Sequence, residues 1–529
     1  MSNIDNVNKP EVVESKEVTR RRVVQGAGAL GLGAAFAGSA ITMPLATAQA
    51  EEVKMGGELN FSVSSAPLYI DPAASGSSTE YIILRACYNT LFRVNETLEL
   101  EPELVEDYEI SEDGLVYTLK LRDGITFHHG KAFTSEDVVH TFNRVMDEAT
   151  ASSGAPLFDT VTSIEAPDDL TVVFTLSAPN ADLLYHFGST FTYIVPSDID
   201  PAELNRMASG TGPFKLEVYQ PGSQIEMVKN EDYWEDGLPY LDRVRLIQIP
   251  EQTGQSAALT GGQTHIFHDV TPQTADQLDQ DGSVTVAEID SPSFQPLSMR
   301  TDIEPWDKVE VRQAFKYSID RDAIVQGVIQ GHGSASNDHH VSPVSPFWVD
   351  TGMKTRDIEK AKELLAQAGY PDGIDVELYA SNERPGLVEL GTIVQQMAAE
   401  AGIRIELQIV PWDVFVAEHM YTVGLQATNW FGRASIDETL YPYLKTDARW
   451  NVERYSNAEV DDLLEEGRQV TDQEARKEIY GRVQEIVAED GAAIIAYHRA
   501  YITAYRNEVK GYQPHALRFV DLRTTWLDV

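Results

Sequence analysis

Three pairs of closely spaced histidines are the residues of this chain whose type and spacing come nearest to metal-ligand chemistry. The pairs are His128-His129, His265 with His268, and His339-His340. In a strand, adjacent side chains and side chains three residues apart point to opposite faces, so neither spacing directs two imidazoles at one ion. We therefore interpret these histidines as hydrogen-bonded or solvent-exposed groups, and we predict no metal site.

Paired acidic residues are the second candidate for chemistry, because two carboxyl groups that flank a bond can serve as general acid and general base. Asp461-Asp462 and Glu465-Glu466 lie in a charge-rich helical segment, where a solvated face is the ordinary explanation. A phosphate-binding P-loop, a Gly-x-Ser-x-Gly elbow and a His-Glu-x-x-His helix are all missing from the sequence. We predict no catalytic residues and no cofactor, with an exported hydrolase as the enzyme alternative.

The elements that position side chains change in kind along the chain. In the first half, apolar and polar residues alternate around turn signals such as Asp113-Gly114, which predicts hairpins. Thr134 or Ser135 caps one predicted helix, and residues 78–96 are predicted to form another. After about residue 300, helical segments alternate with strands such as residues 374–380. This pattern predicts an α/β lobe joined to an α+β first half.

The N-terminal segment predicts export. Arg20, Arg21 and Arg22 precede an uncharged run over residues 23–50 that is rich in Gly and Ala and poor in the large apolar residues of a membrane span. Ala48-Gln49-Ala50 fits a signal-peptidase site, and arginines followed by two valines resemble a twin-arginine signal. We predict a twin-arginine signal peptide over residues 1–50, cleavage near Ala50, and a periplasmic product without direct membrane insertion.

Composition narrows the class of protein further. The 529 residues contain 83 acidic and 41 basic side chains, a net charge of −42, which excludes nucleic-acid binding and gives no attraction to anionic lipid. The chain is longer than the ~250–300 residues at which a single core stops growing, so at least two lobes are expected. The single cysteine, Cys87, excludes an intramolecular disulfide and a cysteine-rich zinc site.

Four segments resemble the dipeptide and oligopeptide class of extracellular solute-binding proteins (family 5), which serve ABC importers. Residues 101–145, containing "SEDGLVYTLKLRDGITFHHG", resemble the signature segment of that family, and residues 210–251 contain its Asn-x-Asp-Tyr-Trp turn followed by Pro-Tyr-Leu-Asp. The other two segments are "VEVRQAFKYSIDRDAIVQGVIQGHGSASN" and "DIEKAKELLAQAGYPDG". They occur in family order over nearly the whole chain after residue 50.

The resemblance implies an α/β, periplasmic binding protein-like (type II) fold with two lobes and an additional small α+β domain. The first lobe is expected to combine residues 51–82, 206–299 and 500–529, with an accessory domain over residues 83–205. The second lobe is expected over residues 300–499. Ligand is held between the lobes, which close on it by a hinge motion.

The resemblance also implies where a ligand ammonium is held. Peptide-binding relatives use an aspartate that follows a tryptophan-containing strand, and Trp430 and Asp437 take these places. Arg433 is a departure, because some dipeptide binders carry an acid near this point. A cation there either favours an anionic group on the ligand or pairs with Asp437.

A ligand carboxylate is expected at Arg384, which precedes Pro385 as in the Arg-Pro of dipeptide binders, because a planar guanidinium suits bidentate capture. The alternative is a surface arginine bonded to a helix end or to Glu383. From the first lobe, the resemblance adds Tyr69 in a loop that faces the cleft and Tyr88 on the following helix.

The predicted function is therefore a monomeric periplasmic substrate-binding protein of an ABC importer. It captures short peptides or related small amino compounds and delivers them to membrane permease subunits. The alternatives are a receptor for a nickel or iron chelate, with the His339-His340 segment reaching the cleft, or for an osmolyte, an opine or an oligosaccharide.

Overall fold

The computed structural model describes residues 52–529. The predicted signal peptide, with its arginines and its cleavage site at Ala50, lies outside the described residues. No helix in the described part of the chain combines the length and the apolar character needed to cross a bilayer.

A seven-stranded sheet organises the part of the chain that we call the first lobe. Strand Glu58–Val63 is central and pairs in parallel with Arg243–Gln248 and Ile266–Phe267, while the other neighbours are antiparallel. In order across the sheet, the strands are Val284–Ile289, Tyr501–Arg506, Ile266–Phe267, Glu58–Val63, Arg243–Gln248, Gln224–Lys229 and Phe214–Gln220. Helices Ser78–Cys87, Gln252–Thr260 and Pro272–Leu278 pack on it.

Helix Ser78–Cys87 is shorter than the predicted helix over residues 78–96. It begins with a capping box between Ser77 and Glu80. It ends where the backbone of Gly212 passes so close that a Cβ there would lie 2.5 Å from the Cys87 carbonyl carbon. The Gly212 N–H donates to the Cys87 carbonyl oxygen at 3.0 Å. The helix prediction is therefore wrong after Cys87, and Phe92–Val94 is a strand.

A four-stranded antiparallel sheet organises the accessory domain. Its strands, in order, are Val105–Ile110, Val116–Leu121, Thr171–Leu176 and Val161–Asp168. The predicted hairpin turn is confirmed, with Gly114 at φ 68°, and helix Ser135–Met146 begins after Thr134 as predicted. The core between helix and sheet is aromatic. Shorter elements nearby are Phe92–Val94 paired with Leu100–Pro102, Ala155–Phe158, Leu183–His186 and Pro201–Glu203.

A five-stranded sheet organises the second lobe. Its order is Ile403–Ile409, Ile374–Ala380, Leu425–Ala427, Leu297–Met299 and Ala493–Ile494. Ile374–Ala380 is parallel to both of its neighbours, and Leu297–Met299 is antiparallel to both of its own. The predicted alternation of helices and strands is confirmed by helices Val309–Ser318, Arg321–Val328, Ile358–Gln367, Leu387–Ala399, Trp412–Val414, Ile436–Leu444, Ala458–Gln469 and Gln473–Glu489, with a π-helical turn at Phe415–His419.

The chain passes between the two large sheets twice. Residues 290–296 lead from the first-lobe strand Val284–Ile289 to the second-lobe strand Leu297–Met299, and residues 495–500 lead back to Tyr501–Arg506. We call these two stretches the crossing segments. Phe294 on one of them forms bridges with both Trp430 and His498, so the segments lie side by side. Two short pairs complete the fold, Gly333–Ala335 with Tyr497–Arg499 and Val509–Lys510 with Trp526–Leu527.

Candidate functional site

The crossing segments hold the predicted tryptophan segment in place. The Trp430 N–H donates to the Phe294 carbonyl oxygen at 3.0 Å, and the Phe294 N–H donates back at 3.2 Å. The Gly432 N–H donates to Oγ of Ser293 at 3.1 Å. Residues 430–432 therefore lie at the junction of the two lobes, where any motion of one lobe against the other must act.

Trp430 is partly buried and belongs to an aromatic cluster of the second lobe. Its ring lies edge-on to Tyr443 with centroids 4.7 Å apart, and the Trp450 centroid is at 6.3 Å. Edge-to-face contacts of this kind add to the stability gained from burial alone. One side of the ring is thus fixed by packing, which orients the remaining exposed part.

Arg433 lies next to this cluster, with its guanidinium 5.3 Å from the centroid of Trp450. Burial disfavours its charge, but Tyr443 and Glu438 outweigh burial and hold the pKa of Arg433 above its ordinary value. Its Nε is buried and has no hydrogen-bond partner among the described residues. Tyr81, on the first-lobe helix, is another of its electrostatic neighbours. Arg433 therefore presents a second-lobe cation toward the first lobe.

A cavity of about 30 Å³ adjoins Arg433. Its walls come from three parts of the molecule, namely Asp182 and Tyr185 of the accessory domain, Pro292 of a crossing segment, and Val341 of the second lobe. This volume is about that of one or two water molecules. In the conformation described, the space beside Arg433 is too small for a peptide.

Arg384 lies on a loop that is fixed to the crossing segments. Gln295 Nε2 donates to the Pro385 carbonyl oxygen at 2.9 Å, and the Tyr497 hydroxyl donates to Gln295 Oε1 at 2.5 Å. Gly386 follows with φ 93°, and a Cβ there would lie 2.7 Å from Gln295 Oε1, so this turn requires glycine. The loop conformation is therefore built around Gln295.

The side chain of Arg384 is exposed. Its guanidinium lies 4.5 Å from the centroid of the Trp412 ring, a cation–π contact that fixes the plane of the fork. Glu383 accepts from the Trp412 backbone N–H at 3.2 Å. Within residues 52–529 the Arg384 side chain makes no hydrogen bond to Glu383 or to a helix end, although the charge of Glu383 acts on it.

The first lobe contributes Asp269 and Arg518, which form an ion pair. The Arg518 guanidinium lies 5.7 Å from the Tyr501 ring of the first lobe and 5.2 Å from the Phe431 ring of the second lobe. Phe431 is 46% exposed and directly follows Trp430. Arg518 is thus a first-lobe group that contacts the second lobe beside the predicted tryptophan.

Asp437 occupies a different environment from the one that its predicted role needs. It is buried, with Oδ1 3.2 Å from Nε of Arg468 and Oδ2 3.7 Å from Nε2 of His186. Its backbone N–H donates to Asp182 of the accessory domain at 3.1 Å. Burial raises the pKa of Asp437 to about 6, although Arg468 and His186 act in the opposite direction.

The structure therefore corrects the expectation that Asp437 anchors a ligand ammonium, because its carboxylate is already paired inside the protein. It also answers which cation pairs with Asp437. That cation is Arg468, at 7% side-chain exposure, and Arg433 is left with a buried Nε that has no hydrogen-bond partner in the described part of the chain.

The two predicted tyrosines differ. Tyr69 is 47% exposed on a loop whose N–H groups donate to Glu80, so the ring is accessible. Tyr88 is only 1% exposed and packs near Tyr193 in the first-lobe core, with ring centroids 6.3 Å apart. The expectation that Tyr88 contacts ligand is corrected, because the end of the preceding helix turns its ring inward.

The histidine pairs are hydrogen-bonded or buried, and His340 packs edge-on against Phe294 of a crossing segment, with ring centroids 5.3 Å apart. His128 and His129 bond to Gly212 and Ser209 respectively, at 2.9 and 2.7 Å. His339 and His340 are 3% and 4% exposed in the second lobe, so the predicted reach of this segment into a cleft is not present. Among residues 52–529, no cluster of three or more His, Cys, Asp or Glu side chains has a metal-binding arrangement.

Sequence patterns missed three groups at the junction, namely Asp269, Arg518 and Phe431. Asp269 and Arg518 adopt positive φ angles of 63° and 65°, in loops without a recognisable motif. No local pattern marks either residue, because their relation depends on two loops that are far apart in the chain.

The family model for bacterial extracellular solute-binding proteins, family 5, matches residues 99–451. The chain belongs to this family. Family membership makes it a periplasmic solute-binding protein that works with an ABC importer, and members of the family are binding proteins rather than enzymes.

Two curated relatives illustrate the similarity over the chain. Heme-binding protein A of Haemophilus influenzae is 30% identical over 493 residues, which cover 85% of this chain and 89% of the relative. A glutathione-binding protein of Escherichia coli K12 is 26% identical over 467 residues, covering 84% and 89%.

Solved structures agree with the type II fold. The periplasmic binding protein DppA of Helicobacter pylori, in complex with the peptide STSA, has a TM-score of 0.80 at 27% identity, covering 90% of this chain and 99% of that one. AgaA of A. tumefaciens R10, in complex with agropinic acid, has a TM-score of 0.80 at 26% identity, covering 89% and 99%.

Proposed function

We propose that this family member captures short peptides or related small amino compounds between its two lobes. The observation that carries the proposal is the junction at the crossing segments. There Arg433 of the second lobe lies within electrostatic range of Tyr81 of the first lobe, and Phe431, which directly follows Trp430, lies against the Arg518 guanidinium of the first lobe. An aromatic wall with guanidinium groups on both sides suits a ligand that has an organic body and a carboxylate.

The ligands of the relatives support a carboxylate-bearing solute. The two curated relatives are named for haem and glutathione, and the two solved relatives hold the peptide STSA and agropinic acid. All four molecules are organic acids. In our proposal Arg384 takes the carboxylate, Trp430 covers the ligand body, Arg433 contributes positive charge, and the exposed Tyr69 lies at the rim.

The proposed mechanism is closure. The lobes would divide the chain at residues 51–82, 206–299 and 500–529 for the first lobe and 300–499 for the second, with residues 83–205 as the accessory domain, and the protein would act as a monomer. A ligand that contacts both lobes stabilises the closed arrangement by its differential affinity. Scattering with and without ligand measures this, and an unchanged profile with a bound peptide would contradict it.

Calorimetry with di- and tripeptides tests the ligand class. We expect saturable heat with peptides that have free termini, and weaker binding when the C-terminal carboxylate is amidated. If no zwitterionic compound produces saturable heat, the proposed ligand class is wrong.

Trp430→Ala tests the aromatic wall. We expect peptide affinity to fall by at least ~1.5 kcal/mol, or about tenfold, because truncating an aromatic anchor removes contact area and admits water. Trp234→Ala is the matched control, since Trp234 packs in the accessory domain and donates to Asn89 at 3.1 Å. The control should lower thermal stability and leave affinity unchanged, and equal affinities for wild type and Trp430→Ala would remove Trp430 from the site.

We also infer export by the twin-arginine route with cleavage near Ala50, supported by the arginines at positions 20–22. Replacing Arg20, Arg21 and Arg22 with lysine should stop export in cells, and the N-terminal sequence of the exported protein should begin near Glu51. Unimpaired export of the lysine variant would contradict this route.

A further inference from the structure

Two arginines lie around a single first-lobe carboxylate at the junction of the lobes. Arg518 is paired with Asp269, and Arg499, on a crossing segment, lies within electrostatic range of both. Arg384 of the second lobe is a third guanidinium within range of the same pair. Together these groups form what we call the arginine cluster, composed of Arg384, Arg499 and Arg518.

The arginine cluster has more hydrogen-bond donors than the neighbouring residues have acceptors. Neither Arg384 nor Arg499 makes a side-chain hydrogen bond or ion pair with another residue in the range 52–529. Arg518 has a buried Nε without a hydrogen-bond partner in the same range. Each guanidinium carries five donors, and a buried donor without an acceptor costs free energy. The cluster therefore has donor capacity that the protein does not use.

The charges of the arginine cluster are also not balanced. Among residues 52–529, the carboxylates that act on Arg384 and Arg499 are Asp269 and Glu383, and Glu383 is engaged with the Trp412 backbone N–H. Desolvation, followed by the positive charge of Arg518, lowers the pKa of Arg499 below its ordinary value. Like charges gathered in a partly buried place are unfavourable unless a counter-charge joins them. This excess of cations stands out in a chain whose net charge is −42.

The surroundings of the arginine cluster are accessible to solvent. The Asp269 side chain keeps 54% of its surface exposed, although its partner Arg518 is only 10% exposed. Phe431, 46% exposed, supplies an apolar wall beside Arg518. An open carboxylate, a covered guanidinium and an exposed aromatic ring together describe a cleft rather than a packed core.

We propose that Arg499 of the crossing segment and Arg518 of the first lobe together form a second carboxylate subsite, so that the preferred ligand is a small amino compound with at least two carboxylate groups. This rests on the proposed function, in which Arg384 receives the first carboxylate. Two guanidinium forks provide bidentate geometry for a planar carboxylate. A ligand with two such groups joins Arg384 of the second lobe to Arg518 of the first lobe, with Arg499 of the crossing segment beside it, and thereby favours closure.

The test compares the dipeptides Ala-Glu and Ala-Gln, which differ only in the second carboxylate. By calorimetry, wild-type protein should bind Ala-Glu at least tenfold more tightly than Ala-Gln. Arg499→Gln should lose this preference by weakening Ala-Glu alone, because Arg499 has no internal acceptor to leave unpaired. The combined Arg518→Gln and Asp269→Asn variant, which removes both members of the ion pair, should do the same.

Arg404→Gln is the matched control, because Arg404 pairs with Asp375 on an exposed edge of the second lobe. It changes the net charge equally and should retain the preference for Ala-Glu. If wild type binds both dipeptides equally, or if Arg499→Gln retains the preference, the second subsite is wrong while the proposed function stands. If neither dipeptide nor any other peptide binds, the proposed function itself fails. Inorganic phosphate provides a last comparison. If it displaces Ala-Gln from wild type but not from Arg499→Gln, the subsite binds phosphate and the carboxylate assignment is wrong.

Discussion

Two regions of this protein place arginine beside aspartate, with opposite results. At the boundary between the accessory domain and the second lobe, Arg468 and Arg476 are almost fully buried and paired with Asp437 and Asp182. At the junction of the lobes, the side chains of Arg384 and Arg499 make no hydrogen bond or ion pair within residues 52–529. The same residue types form internal ion pairs where acceptors surround them and keep unused donors where acceptors are missing.

The paired region is a network rather than a single contact. Arg476 donates to Asp182 at 2.7 Å and to the Gly467 carbonyl oxygen at 3.1 Å, while Arg468 bonds to Asp159 at 3.1 Å. These ion pairs offset part of the cost of removing the charges from water, while Arg468 Nε and Asp437 Oδ1 make no hydrogen bond within the described residues. The network connects the accessory domain to the second lobe. Its bonds remain intact on opening only if these two parts move together.

The largest expected effect comes from removing one member of this network. Arg468→Met leaves Asp437 buried without its closest cation, and we expect the free energy of unfolding to fall by about 3 kcal/mol. Urea denaturation measures it. The control Arg404→Met removes an exposed pair that solvent screens, and should be indistinguishable from wild type. Equal losses in the two variants would show that burial does not distinguish these arginines.

A buried acid without an arginine sharpens the comparison. Burial raises the pKa of Glu453 to about 7, and its clearest partner is the Ser298 hydroxyl, which donates to it at 2.5 Å. Because the folded-state pKa exceeds the unfolded value, the native state holds a proton more tightly, and stability falls as pH rises from about 4.5 to about 7.

Glu453→Gln removes this titration. The variant should therefore gain stability relative to wild type across that interval, by roughly 3 kcal/mol at pH 8, and the gain should vanish below pH 4.5. Thermal unfolding at a series of pH values measures the difference. A difference between the two proteins that does not change with pH would exclude Glu453 as the titrating group.

The arginines at the junction of the lobes are tested by a conservative substitution of Arg384. Arg384→Lys keeps the charge but loses the planar fork and its stacking on Trp412, so we expect affinity for peptides with a free C-terminal carboxylate to fall about tenfold. C-amidated peptides should bind the variant and wild type equally. Calorimetry with both peptide forms provides the comparison, and an equal loss for both forms would mean that Arg384 does not contact the carboxylate.

Several features of the fold were predictable because their causes are local. The hairpin at Asp113-Gly114 follows from alternation around a turn that needs a positive φ, and Gly114 adopts one. The helix after Thr134 follows from its cap. The helix beginning at Ser78 was predicted too long, because its end is set by Gly212, a residue far away in the chain.

The candidate site was predictable only in part. The sequence pattern pointed to Trp430, Arg384 and Arg433 near the junction of the lobes, and it also pointed to Asp437 and Tyr88, which the structure places in a buried ion pair and in a core. The sequence pattern did not point to Asp269, Arg499 and Arg518, which the structure places at the junction. They carry no motif, since electrostatic proximity between separate loops leaves no periodic trace in the sequence.

The sequence by itself determined the α/β character, the hairpin turn, the helix starts and the family to which the chain belongs. These features depend on local periodicity and on recurring motifs. The tertiary structure alone decided which charges are neutralised. Arg468 finds Asp159 across 309 residues and Arg476 finds Asp182 across 294. Whether an arginine is a support or a ligand contact depends on the acceptors that folding brings to it, and those come from distant parts of the chain.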